Sequence, residues 1–180
     1  MKRFLMYAGL LAASATVFAQ QPPASPPEQA TATIGGNTIT IKYSSPRVKG
    51  REGHIFNQGG LIQRTHKEYP VWRAGANAAT ALHTDADLTI GDLNVPKGDY
   101  TLFVDIADPD QWTLIVSKQT GEWGLAYNGS DDLGRVKMNM SKPPHMIEDL
   151  KWTITDKGGN HGEITLAWED HSASVPVTVH

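Results

Sequence analysis

Apolar and polar residues alternate with period two along most of the chain. Ile39, Ile41 and Tyr43 fall on one face of a segment whose other face carries Thr38, Thr40 and Lys42, the pattern of a strand with one buried side. Tyr100, Leu102 and Val104 repeat it, and Trp112, Leu114 and Val116 repeat it again after the turn Asp108-Pro109-Asp110, so these two segments are expected to form a hairpin. Val136, Met138 and Met140 alternate with Arg135, Lys137 and Asn139. After Pro143-Pro144, Trp152 and Ile154 open a further strand, and Ile164, Leu166 and Trp168 follow beyond the glycine-rich stretch Asp156 to Gly162, whose glycines suit the positive φ angles of hairpin turns. The last run points Ala173, Val175, Val177 and Val179 inward and Pro176 outward. Proline donates no ladder hydrogen bond, which places this strand at a sheet edge.

No long stripe of period 3.6 with helix caps interrupts the series. Short strands separated by Gly, Pro, Asn and Asp turns predict an all-β fold, an antiparallel β-sandwich of immunoglobulin-like or jelly-roll type, with a closed barrel as the alternative. Of the five tryptophans, those in strands (Trp112, Trp152 and Trp168) are expected in the core. Trp72 and Trp123 stand in loop-like contexts, where a ring is free to meet a ligand.

The ends of the chain add a destination. Lys2 and Arg3 precede an apolar run from Phe4 to about Ala13 and the small-residue exit Val17-Phe18-Ala19, the layout of a secretory signal peptide over residues 1–19. Residues 20–29, rich in Gln, Pro, Ser and Ala, read as a flexible tether. Residues 30–180 then form one domain, long enough for a real core, exported to the periplasm or beyond and carrying no membrane anchor. There is no cysteine, so packing alone must stabilise it.

The chain has 16 Lys and Arg against 19 Asp and Glu, a net charge of −3. Loss of the first 19 residues leaves 14 basic side chains and a charge of −5. With no basic run and no aromatics interleaved with one, nucleic acid is excluded as a partner.

Three blocks occur in order: Tyr43-Ser44-Ser45-Pro46 with Lys49-Gly50-Arg51, then Ile55-Phe56, then Trp72-Arg73-Ala74-Gly75-Ala76-Asn77. With Pro96-Lys97-Gly98-Asp99-Tyr100, Trp123-Gly124 and Trp168-Glu169, they resemble the bacterial family termed domain of unknown function 2911. The resemblance implies a secreted, all-β protein and carries no activity with it. The chain departs from the family pattern by extra residues at Glu52 to His54 and Asn57 to Tyr69, which lengthen the loop before Trp72.

Candidate chemistry gathers in these blocks. Arg73 and Asn77 flank the small residues Ala74, Gly75 and Ala76, where backbone can approach a ligand and a guanidinium offers a planar fork. The competing reading pairs Arg73 with Glu169 and stacks it on Trp72, closing one end of the sandwich. Ser44 with Lys49 suggests a hydroxyl nucleophile and an amine base, although Ser44 lies at a strand end and not on the helix that lactamase-like enzymes use. The seven histidines are scattered singly, without metal-ligand spacing, and the pairs Asp108/Asp110 and Asp131/Asp132 are those of turns. No metal and no cofactor is implied.

Three functions are open at this stage. One is a module that binds a small anionic or polar ligand, or a protein, through Tyr43, Arg51, Trp72, Arg73, Asn77 and Trp123, with Lys49 beside them. Another is a hydrolase of ester-type bonds using Ser44 and Lys49, with Arg73 and Asn77 holding the oxyanion. The third is a structural envelope module. A monomer or a weak homodimer suits all three, and each turns on whether Lys49, Arg51, Arg73 and Asn77 meet at one rim.

Overall fold

The computed structural model describes residues 23–121 and 127–180; the expected signal peptide and Trp123 lie outside them. Strand β1 (Pro27–Ile34) pairs with β2 (Asn37–Ser44), and the sheet continues through β4 (Thr80–Thr84), β7 (Gly98–Asp105), β8 (Thr113–Ser117) and β9 (Asp132–Lys137), with the short β3 (Val71–Trp72) also on β7. The second sheet runs β11 (Ile147–Gly158), β12 (His161–Glu169), β13 (His171–Val179), β5 (Leu88–Ile90) and β6 (Leu93–Val95), with β10 (Asn139–Ser141) also on β13. Every pairing is antiparallel.

The two sheets form a sandwich. Ile39, Ile41, Tyr43, Leu82, Leu102 and Val104 of the first share one buried cluster with Trp152, Ile164, Leu166, Val175 and Val177 of the second. Alternation built both layers, as the sequence predicts, because each strand has one apolar face that must leave water. The expected hairpin of β7 and β8 forms, and its register sets Leu102 opposite Val116 and Val104 opposite Leu114.

Four expectations are corrected. The segment read as tether already contains strand from Pro27 onward: Ala30, Ala32 and Ile34 face inward while Gln29, Thr31 and Thr33 face out. Alanines carry so little apolar area that this alternation is faint in the sequence. Val136 to Met140 is not one strand. The chain leaves β9 at Lys137, buries Met138 and enters β10 in the other sheet, held at the crossing by the Met138 amide on the Trp112 carbonyl (2.9 Å). Strand β13 is central and not an edge. Its Pro176 carbonyl accepts from Gly91 (2.9 Å) on the flank where β10 begins at Asn139 opposite Ser174 and β5 ends at Ile90 opposite Val177, so the missing N–H falls in the gap between two short partners. Finally, Trp72 is in a strand and fully buried.

The long loop before Trp72 plugs one end of the sandwich. Ile55 and Ile62 are buried, Ile62 lying on the short helix α1 (Leu61–Thr65). Phe56 touches the rings of Trp72, Trp112, Trp168 and His171 at centroid distances of 4.7–5.7 Å. Trp72 stacks on Trp168 at 6.0 Å, and Trp112 on His171 at 5.2 Å. Such ring pairs add roughly 0.5–1.5 kcal/mol each beyond area burial. Among the described residues no helix is long and apolar enough to cross a membrane.

At the opposite side of the core Gly162 has no room for a side chain: a Cβ there would run into the Ile34 side chain of the facing sheet and stand 2.9 Å from the Thr155 carbonyl oxygen and 3.1 Å from Val177 of its own sheet. Gly162→Ala should therefore lower stability by about 1–3 kcal/mol, read as a lower urea midpoint with unchanged slope. An unshifted midpoint would mean that the inner face has slack that these distances deny.

Candidate functional site

Beyond β2 the chain crosses between the sheets as a strap. Ser45 donates its amide to Pro26 (2.8 Å) and its hydroxyl to the Leu150 carbonyl (2.7 Å); the Leu150 amide reaches Pro46 (2.9 Å) and the Val48 amide reaches Glu148 (2.9 Å). Ser45, Pro46 and Val48 are buried, so these partners are obligatory. The strap then turns sharply. Lys49 and Gly50 both have positive φ (49° and 69°), and the Arg51 amide returns to the Val48 carbonyl at 3.2 Å, the arrangement of a type I′ turn.

That turn fixes the cations. Arg47 pairs with Asp149. Arg51 spends two N–H groups on the carbonyls of Val48 (2.9 Å) and Arg47, which pins its fork while leaving its other donors uncommitted. Lys49 is exposed, its backbone amide bonded to Glu148 (3.0 Å). Among the described residues neither Lys49 nor Arg51 joins an ion pair.

Arg73 is brought to the same place by the small-residue block after β3. Ala74, with φ 52°, presents its carbonyl to the Trp152 indole N–H (2.9 Å) and the Thr80 hydroxyl (3.1 Å), while the Ala76 amide donates to Ser44 (3.1 Å). A left-handed alanine costs about 1–2 kcal/mol, offset here by bonds no other conformation would make. A Cβ on Gly75 would stand 3.1 Å from both the Ser44 carbonyl oxygen and the Thr80 hydroxyl, which explains the glycine in the middle of the block.

Arg47, Lys49, Arg51 and Arg73 line one recess of about 290 Å³, with His66 and Thr65 on its wall and Trp168 also contributing. No carboxylate is among its lining residues. Arg73 is half-buried, and burial holds its pKa below the ordinary arginine value. His66 is buried, with Nδ1 3.1 Å from the Ile62 carbonyl oxygen and 3.0 Å from the Thr65 hydroxyl. A carbonyl only accepts, so Nδ1 carries the proton and Nε2 keeps its lone pair. Burial first, and the Arg73 charge second, bring the His66 pKa down to about 4. The imidazole is thus neutral at pH 7 despite its place among cations.

Three of the sequence-selected residues, Lys49, Arg51 and Arg73, meet here as expected. The others stand elsewhere. Asn77 does not line the recess; it is exposed, takes the left-handed conformation that Asn tolerates, and reaches the carbonyl of the recess residue Ser25 only at 3.4 Å. Tyr43 is buried and donates to Glu28 at 3.1 Å, and burial pushes its pKa to about 12. Trp72 is core. Ser44 is absent from the recess lining, and among the described residues no hydrogen bond joins its hydroxyl to Lys49, so the nucleophile and base expected from sequence are not assembled. Glu169 accepts the Gly53 amide, and Trp72 stacks on Trp168, which replaces the end closure imagined for Arg73. Arg47 and His66 went unselected: Arg47 sits inside the recognised proline block, but a lone histidine after an apolar pair gives no sequence signal.

A larger groove of about 680 Å³ lies on the outer face of β2, β4 and β7, floored by Thr40, Ala81 and Thr101. Its histidine is already engaged, His83 lying between Asp99 (2.8 Å) and Asp85 (3.1 Å).

The model of a family described as "Protein of unknown function (DUF2911)" matches residues 25–177. No curated protein and no solved structure matches the chain.

The buried neutral imidazole sets a pH dependence. Above pH 6.5, His66 is uncharged both folded and unfolded and contributes nothing. As pH falls below that, the unfolded chain binds a proton that the folded protein refuses, so stability declines until about pH 4, where the folded form also protonates. Urea unfolding in buffers without multivalent anions should show this decline, and His66→Gln should make it shallower; parallel profiles for the two proteins would reject the assignment.

Proposed function

The chain belongs to the DUF2911 family of proteins of unknown function, and from the recess we propose that it is a non-catalytic module binding a small anion. The observation that carries this reading is the meeting of Arg47, Lys49, Arg51 and Arg73 around one concavity that no carboxylate lines among the described residues, in a chain whose net charge is −3. Arg47 has Asp149 as a counter-ion, whereas Lys49 and Arg51 join no ion pair among the described residues and leave positive charge at the recess for a ligand to balance. The recess has the volume of a small-molecule site, and guanidinium forks match carboxylate and phosphate oxygens in plane. Holding those forks on a strap tied by backbone bonds lowers the ordering cost of binding. The basic, apolar and small-residue succession of residues 1–19 supports an address outside the cytoplasm.

Thermal unfolding and calorimetry with phosphate, sulfate and succinate test this directly. Each anion bound to the folded state alone raises the melting temperature, by a free energy of about 2.7 kcal/mol at a hundredfold excess over Kd. Arg51→Gln, with its fold checked by circular dichroism, should weaken binding at least tenfold, because one charge-assisted bond is worth roughly 1.5–3 kcal/mol. An equal stabilisation by chloride at matched ionic strength, or an Arg51→Gln protein that binds as well as the parent, would overturn the proposal.

A further inference from the structure

One group at the recess is of a different kind from the rest. His66 is a wall residue that is neutral, buried and fixed in orientation, with Nδ1 committed to the Ile62 carbonyl and a buried Nε2 that has no hydrogen-bond partner among the described residues. Among the described residues, the charged groups that line the two spaces beside it come from three segments. Arg73 follows β3; Arg47, Lys49 and Arg51 come from the strap; Lys67 and Glu68 adjoin it in its own loop and line, with Arg73 and Tyr127, a cavity of about 10 Å³. Tyr127 stays protonated, its pKa raised to about 12 by burial and by its bond to Asp132. Burial and the Arg73 charge together oppose charging of the ring.

An anion held in the recess by Lys49 and Arg51 brings negative charge to the wall that His66 forms, and so supplies a counter-charge to an imidazolium. Two ligands that each relieve the other's unfavourable interaction bind with positive, reciprocal coupling. We infer that anion binding here is coupled to uptake of one proton from solvent at His66 Nε2, so that the protein takes its anion more tightly in acid and releases it towards neutrality. The inference rests on the recess being an anion site and names how that site is regulated.

Sulfate is the suitable probe, because it does not itself titrate in the range concerned. Calorimetric titration of the full folded protein, in pairs of buffers with different ionisation enthalpies, reads affinity and proton count together. The expected result is a Kd about tenfold lower near pH 5 than near pH 7, accompanied by uptake approaching one proton per sulfate in between. His66→Gln keeps a donor for Ile62 without a titrating ring, and should bind sulfate with neither the pH trend nor the proton uptake. Should that variant fold poorly, the His66 ring resonances of the parent protein decide the matter, since a tenfold change in Kd requires sulfate to move their titration midpoint upward by about two pH units. Sulfate that binds with no proton uptake and an unmoved His66 midpoint would overturn the coupling while leaving the anion site standing. No sulfate binding at any pH would overturn both.

Discussion

The pairing of Ser45, Pro46 and Val48 with Glu148 and Leu150 is the constraint from which the rest of the cationic end follows. A loop joining two sheets ordinarily runs over the surface with its polar groups in water. This one is pulled inside, so its backbone must be satisfied by β11, and that leaves little choice about where the next residues emerge. Arg47 is directed to Asp149, Lys49 and Gly50 turn the chain back, and Arg51 folds over its own strap. The proline, the glycine and the two arginines are one device.

Placing positive side chains together works against folding, since unit charges a few ångströms apart repel by roughly 1 to 4 kcal/mol per pair, depending on exposure. The protein spreads the cost. Asp149 offsets Arg47, and Lys49 remains exposed to solvent. His66 is kept uncharged by being buried. The aromatic plug built on Phe56 then holds the loop that carries His66 against the core. Rigid apolar packing behind and the exposed Lys49 and pinned Arg51 in front are how a loop end becomes a recognition surface on an otherwise ordinary sandwich.

Period two was strong wherever the inward residues were large, as at Ile39, Ile41 and Tyr43 or at Ile164, Leu166 and Trp168, and there the sequence reading and the structure coincide. It was weak at β1, where alanines do the inward packing, and it misled at Pro176 and Met138, because which neighbour a strand finds is decided by tertiary arrangement that alternation does not encode. The site divides the same way. Lys49, Arg51 and Arg73 were legible as motif residues around glycines, each required by a local turn or a close approach. His66 was not: its significance lies in a burial and an Arg73 neighbour that are remote in origin from any pattern along the chain. Tyr43 and Trp72 sit inside the same recognised blocks and yet serve the core, so membership of a motif did not separate recognition from packing.

The passage of the chain from one layer to the other at Met138 bears on how the molecule comes apart. Residues 132–141 belong to both sheets, with the crossing residue itself buried and bonded to Trp112. Opening either layer pulls on a segment stitched into its neighbour, so the slowest-exchanging amides of the two sheets should share a single opening event, the behaviour of one cooperative unit.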